Sequence, residues 1–350
     1  MNPDLHQCFL GLSGATTQLA TISCLQHYIR RVSKAIVTPL AIMGSLSLLG
    51  WVLNATHFFT TYWLRRSKIN RFNHPSRDGS AAWALVTGAS DGIGFELVRE
   101  LAREGFNVVL HGRIETDLLS AMVRIHEEFP DQDFKILVAD PTVLGSADFW
   151  YRKTYGDWKL ERKLDLEMIK HELSKLNLTV LVNCADGGAK ESDLESILHG
   201  TETSMLKNIN VDALYPMQLF RTLLPTLIDN TPFLLMNITS LIDKGLPLKT
   251  TTSASRSFVS RMTESSALEM KLEGYDVEAL CVRVSRGMGQ TDSTLAKAII
   301  ARVGGSQSVV VGHWYQFLYK SMVDLMPNWL WSRSIIWYMR DKRDSEAKGG

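Results

Sequence analysis

Residues 82–94 read AWALVTGASDGIG, a short apolar run that leads directly into three closely spaced glycines. Helical periodicity follows at 95–104, so the predicted order is strand, turn and helix. In such a turn Gly88 permits the tight bend, Gly92 lets the backbone approach a diphosphate, and Gly94 lets helix and strand pack closely. An ordinary strand-to-helix turn is the alternative. The strand before the turn and the helix after it favour a dinucleotide site, because the N-terminus of a helix binds phosphate groups. The predicted site residues are Thr87, Gly88, Ser90, Asp91, Gly92, Ile93 and Gly94.

Segments of strand length and segments of helical periodicity alternate along the middle of the chain. The apolar runs lie at 82–86, 106–111, 134–139, 178–183, 232–238 and 277–284. The helical segments lie at 95–104, 115–128, 164–176, 205–227 and 258–272. This alternation implies right-handed crossovers and a parallel sheet. The predicted fold class is therefore α/β, a Rossmann-type doubly wound parallel sheet in a domain spanning residues 81–305.

The overall composition excludes several classes of protein. The 350 residues include 38 Lys and Arg against 37 Asp and Glu, a net charge of +1, which lacks the basic footprint of a nucleic-acid binder. The 4 cysteines are scattered and form no CxxC pair. We therefore expect neither a metal site nor a disulfide scaffold, and no nucleic-acid partner.

The first part of the chain has the features of a membrane anchor. Residues 35–64 contain no Asp, Glu, Lys or Arg, and basic residues flank this stretch on both sides. About 20 apolar residues span a bilayer, so a transmembrane segment is predicted within an anchor of residues 1–66. A buried core helix and a hairpin lying in the membrane are the alternatives. Residues 67–80 are polar and rich in turn formers, which predicts a linker.

The last part of the chain, residues 306–350, is rich in aromatic and basic side chains. The aromatic residues are Trp314, Tyr315, Phe317, Tyr319, Trp329, Trp331, Trp337 and Tyr338. This mixture suits a membrane interface, so a membrane-associated segment is predicted. The alternative is a pair of helices packed on the main domain, and the segment could also wall a pocket for a long acyl chain.

Two residues at later strand ends bear on the identity of the nucleotide. An NAD site usually has an acidic side chain about 20 residues beyond the glycines, to bind the ribose 2′-hydroxyl. Here Arg113 stands 19 residues after Gly94, and a guanidinium can bind a 2′-phosphate through two parallel hydrogen bonds. NADP(H) is therefore favoured, with a solvated arginine as the alternative. The carboxylate of Asp140 could accept a hydrogen bond from the adenine amino group. Alternatively, Asp140 could be a helix cap that immediately precedes Pro141.

At this point the motifs resemble those of a known family. The segments TGASDGIG, FNVVLHGR, LVNCADG, NINVDALYPMQLFRTLLP and NITS are similar to those of the short-chain dehydrogenase/reductase superfamily. The resemblance extends to its endoplasmic-reticulum branch, which contains very-long-chain 3-oxoacyl-CoA reductases and 17β-hydroxysteroid dehydrogenase-like proteins. It implies NADP(H), a long-chain acyl thioester or lipid-like ketone as substrate, and fatty-acid elongation enzymes as partners. It also implies residence in the endoplasmic-reticulum membrane, and the basic flank after the anchor places the main domain in the cytosol.

The resemblance also implies the catalytic residues. The family uses Asn, Ser, Tyr and Lys, and Asn210 and Ser240 match the first two by motif. Asn183 matches the asparagine of a nucleotide-site turn, and Thr291 matches a threonine that contacts the nicotinamide carboxamide. The catalytic Tyr becomes Thr252, with Thr251 as the other possible register. The catalytic Lys becomes Arg256, which keeps the charge for the nicotinamide ribose.

These replacements leave two function classes open. An aliphatic hydroxyl is a far weaker acid than a tyrosine, and an arginine cannot relay a proton. Asp186 and Arg286 also depart from the family pattern close to the expected nicotinamide pocket. The protein is then either a weakened membrane-bound reductase or an inactive relative. The inactive relative would bind nucleotide or lipid and scaffold lipid-synthesis partners.

Overall fold

The computed structural model describes residues 16–144, 165–185, 194, 196–241, 244–286 and 288–349. The chain divides into two compact units, Met1–Arg65 and Arg66–Gly350. Each unit has its own internal packing.

The first unit contains one long helix. Helix α1 spans Thr16–Phe59 and continues into a π-helical turn at Thr60–Leu64. Its part Ile36–Leu64, 29 residues, is the one helix of the described chain long and apolar enough to cross a membrane, and 0% of it is buried. The helix runs without interruption through Pro39, so a hairpin with its bend at that proline is not what the structure contains.

The second unit alternates strands and helices, as the sequence predicts. Its strands are β1 Ala82–Thr87, β2 Asn107–Gly112, β3 Phe134–Val138, β4 Asn177–Asn183, β5 Phe233–Ser240, β6 Val277–Val284 and β7 Val309–Val311. Its helices are α2 Gly92–Arg103, α3 Glu115–Glu128, α4 Leu166–Leu173, α5 Glu202–Ile209, α6 Tyr215–Asp229, α7 Thr250–Leu272, α8 Asp292–Ile300, α9 Trp314–Leu325 and α10 Asn328–Gly349.

The seven strands form one sheet in the order β3-β2-β1-β4-β5-β6-β7, and every neighbouring pair is parallel. Strand order reverses between β1 and β4, which is where open α/β sheets bind ligands, at the carboxyl ends of the strands. The predicted α/β fold of Rossmann type is therefore confirmed. Strand β7 and helix α8 were not among the predicted elements.

Apolar side chains cover both faces of the sheet. In β1, Ala84 and Val86 point into one core layer, while Trp83 and Leu85 point into the other. The first layer packs against α2, α3 and α8, and the second against α4, α6 and α7. This division explains why β1 reads as a continuous apolar run: a parallel strand buried on both faces needs no polar side.

Residues 67–80, for which the sequence predicts a linker, are packed onto the sheet domain. A short 3₁₀ helix at Ile69–Phe72 places Ile69 and Phe72 in the first core layer, where both are buried. The hydroxyl of Ser67 donates to the carbonyl of Ile300 at 2.6 Å, and the Arg71 side chain pairs with Asp276. The segment is polar in composition, but its two large apolar residues fix it in place.

Candidate active site

The carboxyl ends of β1 and β4 lie side by side and are tied together by one hydroxyl. Thr87 is opposite Asn183 in the strand register. Its Oγ1 accepts hydrogen bonds from the backbone N–H groups of Cys184 at 3.0 Å and Ala185 at 3.1 Å. The predicted site residue Thr87 therefore holds the two strand ends at the switch point of the sheet, where a nucleotide would lie.

The glycines of the turn allow the backbone to pack more closely than any side chain would permit. Gly88 has a φ of +67°, and a Cβ there would stand 2.9 Å from the Cα of Ala185. A Cβ on Gly94 would overlap the carbonyl oxygen of Gly88. Gly92 has a φ of +57° and begins α2. The cradle of a dinucleotide turn is present, so these residues fit a nicotinamide nucleotide.

A basic side chain from α3, Arg124, reaches the glycine turn. The guanidinium of Arg124 lies over the ring of Phe95, 4.3 Å from its centroid, and its Nη2 donates to the carbonyl of Ser90 at 3.4 Å. Sequence reasoning singled out Arg113, which is exposed just beyond β2, and missed Arg124. The contact joins residues 34 positions apart, and no local motif signals it.

Three of the predicted nucleotide contacts have hydrogen-bond partners within the protein. The side chain of Asp140 accepts from the backbone N–H of Thr142 at 2.9 Å and so caps the 3₁₀ turn Pro141–Val143, which is the alternative role that the sequence allowed. The amide of Asn183 donates to Asn237 Oδ1 at 2.8 Å, inside the sheet. Thr291 caps α8 by accepting from the N–H of Thr294 at 3.2 Å.

The predicted catalytic residues lie on β5 and α7. Ser240 ends β5 and is buried, next to Val284 at the end of β6. Thr252 and Arg256 are both partly buried and stand four residues apart, one turn along the same face of α7. Residues four apart on a helix are the spacing of the family's tyrosine and lysine. The predicted Asp186 lies outside the described residues.

Asn210 occupies a distorted part of its helix. It begins a π-helical turn, Asn210–Leu214, between α5 and α6. Its side-chain nitrogen donates to the carbonyls of Thr142 at 2.9 Å and Leu144 at 3.1 Å. Both N–H donors of the amide are thus engaged by the segment after β3. Single π turns inside α-helices are frequent at functional sites, and here the turn carries a predicted catalytic residue.

A buried histidine–tyrosine pair lies close to the carboxyl end of β1, where His111 is opposite Thr87 in the strand register. His111 in β2 and Tyr215 at the start of α6 are 1% and 0% exposed, and Tyr215 Oη lies 2.6 Å from His111 Nε2. Burial lowers the pKa of His111 to about 4 and raises the pKa of Tyr215. No local motif signals this pair, because the two residues are 104 positions apart.

Comparison with known proteins agrees with this geometry. Residues 82–158 match the family described as short chain dehydrogenase. The very-long-chain 3-oxoacyl-CoA reductase of Mycosarcoma maydis is 28% identical over 259 residues, 73% of this chain and 68% of that protein. The reductase of the same name from Mus musculus is 26% identical over 277 residues, 76% of this chain and 82% of that protein.

A solved structure shares the fold. A metagenomic short-chain oxidoreductase in complex with NADP superposes with a TM-score of 0.51 at 20% identity, over 66% of this chain and 96% of that one. The matched sequence begins at β1 and includes the glycine turn, and the sheet order and cradle are those described above. In sequence the chain is therefore similar to the short-chain dehydrogenase family, and among curated proteins it resembles the very-long-chain 3-oxoacyl-CoA reductases.

Proposed function

We propose that this protein is a membrane-bound, NADP(H)-binding reductase of low activity. The observation that carries this proposal is the glycine turn, in which Gly88, Gly92 and Gly94 have no side chains. Beside it, Thr87 accepts hydrogen bonds from the backbone N–H groups of Cys184 and Ala185 and so joins the ends of β1 and β4. Arg113 follows β2 where an NAD site would have a carboxylate, which favours a 2′-phosphate. The solved relative with NADP bound has the same fold, which supports a nicotinamide nucleotide.

The substrate class comes from the relatives. Two proteins that match over most of their length carry the name very-long-chain 3-oxoacyl-CoA reductase. We therefore propose a long-chain 3-oxoacyl thioester, or a ketone of similar lipid character, as the substrate. The family resemblance also favours fatty-acid elongation enzymes as partners and the endoplasmic-reticulum membrane as the location, and the basic flank after the anchor favours a sheet domain in the cytosol.

The chemistry available at the site is incomplete. When bound, the nucleotide supplies the hydride. Ser240 would donate a hydrogen bond to the substrate carbonyl, and Arg256 would bind the nicotinamide ribose. Thr252 stands where a proton donor is needed, but an aliphatic hydroxyl is a poor acid at neutral pH. A positioned acid or base contributes about 10²–10⁴ in rate, so turnover without one is expected to be slow.

A second candidate function is favoured by the same pair of replacements. Thr252 replaces the family's tyrosine, which donates the proton, and Arg256 replaces the lysine that lowers the pKa of that tyrosine. An inactive relative that binds nucleotide or lipid and scaffolds lipid-synthesis partners would keep the cradle and lose this pair. Both candidates are able to bind a nucleotide, so the rate of ketone reduction separates them.

The proposal of membrane attachment rests on two parts of the chain. Ile36–Leu64 has the length and composition of a span. In α9 and α10 most large apolar side chains face outward, with Met322 62%, Trp329 65% and Trp337 71% exposed. Soluble domains rarely expose contiguous apolar patches of this kind, and a lipid surface would cover them.

The test uses the full chain in detergent or lipid nanodiscs. NADPH binding is titrated by tryptophan fluorescence, and NADPH oxidation is then followed with long-chain 3-oxoacyl thioesters and ketosteroids. We expect binding together with slow turnover of at least one long-chain thioester. Binding without any turnover would favour the inactive relative. No binding of either NADPH or NADH would contradict the reductase and leave only the relative that binds lipid.

A further inference from the structure

The loop after β6 places an arginine on the glycine turn. A Cβ at Gly92 would overlap Nη2 of Arg286 and would stand 3.2 Å from its Cζ. The guanidinium therefore lies directly against the side of Gly92 that carries no side chain. In the proposed function that open side is where the backbone approaches the diphosphate of the nucleotide.

The loop that carries Arg286 is fixed at its base. Gln316 of α9 is fully buried and makes two hydrogen bonds with the backbone of Ser285, the residue before Arg286. Its Nε2 also lies 3.0 Å from Oε1 of Gln290, on the other side of Arg286 in the loop. The backbone at Arg286 is thus anchored from α9, although the arginine side chain itself is exposed.

The charge on Arg286 is held loosely. Its Nε lies 3.4 Å from Oδ1 of Asp292, and the two side chains are 47% and 38% exposed. Ion pairs at this exposure are weak, so the guanidinium can exchange its partner at little cost. A guanidinium presents N–H donors in a planar fork that matches phosphate oxygens, whereas the carboxylates of Asp91 and Asp292 near the turn would repel a diphosphate.

We infer that Arg286 is a diphosphate-binding residue, which Asp292 holds beside Gly92 until a nucleotide arrives. This inference rests on the proposed function and adds to it a contact made by a side chain, where the turn itself offers backbone N–H groups. When the nucleotide binds, the guanidinium leaves the Asp292 carboxylate and donates to the diphosphate oxygens. The opposite arrangement, in which Arg286 blocks the turn, makes the reverse prediction for binding.

The test measures dissociation constants of NADPH and NADH for the full chain in nanodiscs, by isothermal titration calorimetry. Arg286→Ala should weaken both nucleotides by a similar factor of about 10, because the diphosphate is common to them and a charge-assisted bond is lost. The dissociation constants of Arg286→Lys should fall between those of the wild type and Arg286→Ala, since a lysine keeps the charge but not the planar fork of N–H donors. Asp292→Asn should tighten both nucleotides by a few-fold.

Arg103→Ala is the matched control. Its side chain is also 47% exposed and pairs with an acidic residue, Glu100, but it lies at the far end of α2. We expect this variant to bind like the wild type. Binding by wild type with no loss in Arg286→Ala would overturn the inference and leave the proposed function standing. Tighter nucleotide binding by Arg286→Ala would also overturn the inference, because it would show that Arg286 blocks the glycine turn. No binding by any variant would overturn both.

Discussion

The side-chain amide of Gln316 pairs with the backbone of Ser285: Oε1 accepts from the N–H at 3.2 Å, and Nε2 donates to the carbonyl at 2.7 Å. The ladder between β6 and β7 ends just before, where Gly312 N–H donates to the carbonyl of Arg283 at 2.9 Å. One side chain of α9 therefore continues the hydrogen bonding of a strand only 3 residues long. The C-terminal helices are tied in this way to the loop that carries Arg286.

Gln316→Ala should lower the stability of the sheet domain. The variant leaves the N–H and carbonyl of Ser285 without their partner in a partly buried place, which costs about 1–3 kcal/mol. Thermal unfolding in detergent, followed by tryptophan fluorescence, measures the effect. Gln290→Ala is the control, because it removes a single hydrogen bond from a less buried residue. Equal melting temperatures for the two variants would contradict the argument.

The buried His111 should make stability depend on pH. Its pKa of about 4 in the folded state lies below the ordinary value of 6.5, so the unfolded chain binds more protons between these values. Stability is then fully present above pH 6.5 and falls as the pH drops toward 4, by up to about 1.4 kcal/mol per pH unit. Denaturant unfolding at a series of pH values checks this.

His111→Gln should flatten that dependence, since no titrating group remains at the position. The exposed His126 on α3 offers the matched control, and His126→Gln should keep the wild-type slope. If both variants lose the slope equally, or neither does, burial of His111 is not its cause.

Much of this architecture follows from local pattern. The glycine turn, the strand before it and the helix after it are all encoded within residues 82–104, and the structure has them there. Strand β7 went undetected because Val309–Val311 is too short for a periodic signal. Helix α7 begins at Thr250, eight residues before its predicted start at 258, because its first turns are formed by Thr and Ser, which have low helix propensity.

The details of the site depend on contacts between distant residues. Arg286 lies against Gly92, and Arg124 reaches Ser90, across gaps that no motif spans. The sequence flagged Arg286 only as a departure from the family pattern. Whether such a side chain aids or obstructs a ligand is decided by where the fold places it, and that placement needs the assembled sheet edge.

Arg113 should decide between NADPH and NADH. Arg113→Ala should weaken NADPH by about 10-fold and leave NADH unchanged, because only NADPH carries the 2′-phosphate that the guanidinium would bind. Arg113→Glu should reverse the preference. Fluorescence titration of both nucleotides measures this, with Arg103→Ala as the control. Equal affinities for both nucleotides in the wild type would remove Arg113 from this role.

Membrane attachment should depend on both ends of the chain. Deleting residues 1–66 should shift the protein only partly to the soluble fraction, because the aromatic side chains of α9 and α10 still hold some on the membrane. In the deleted chain, Trp329→Glu with Trp337→Glu should release most of the remainder. Sedimentation with lipid vesicles measures the bound fraction. Complete release by the deletion alone would contradict an interfacial role for these helices.

The last prediction concerns the replaced pair on α7. Thr252→Tyr combined with Arg256→Lys should raise the rate of NADPH oxidation with a long-chain 3-oxoacyl thioester by about 10-fold or more, within the range of a positioned proton donor. Asn210 and Ser240 remain to complete the site. Each single substitution should do less, because the tyrosine needs the lysine to lower its pKa, and the lysine has no acid to tune without the tyrosine.

The control moves the tyrosine by one residue. Thr251→Tyr with Arg256→Lys keeps the composition but breaks the four-residue spacing, and about 100° of helix rotation turns the hydroxyl away from the lysine. We expect no gain from it, and a gain would mean that Thr251 is the residue in register. Ordinary enzyme rates in the wild type would mean that another group donates the proton. If the Thr252→Tyr, Arg256→Lys variant binds NADPH and still reduces no ketone, the substrate pocket has been lost with the acid.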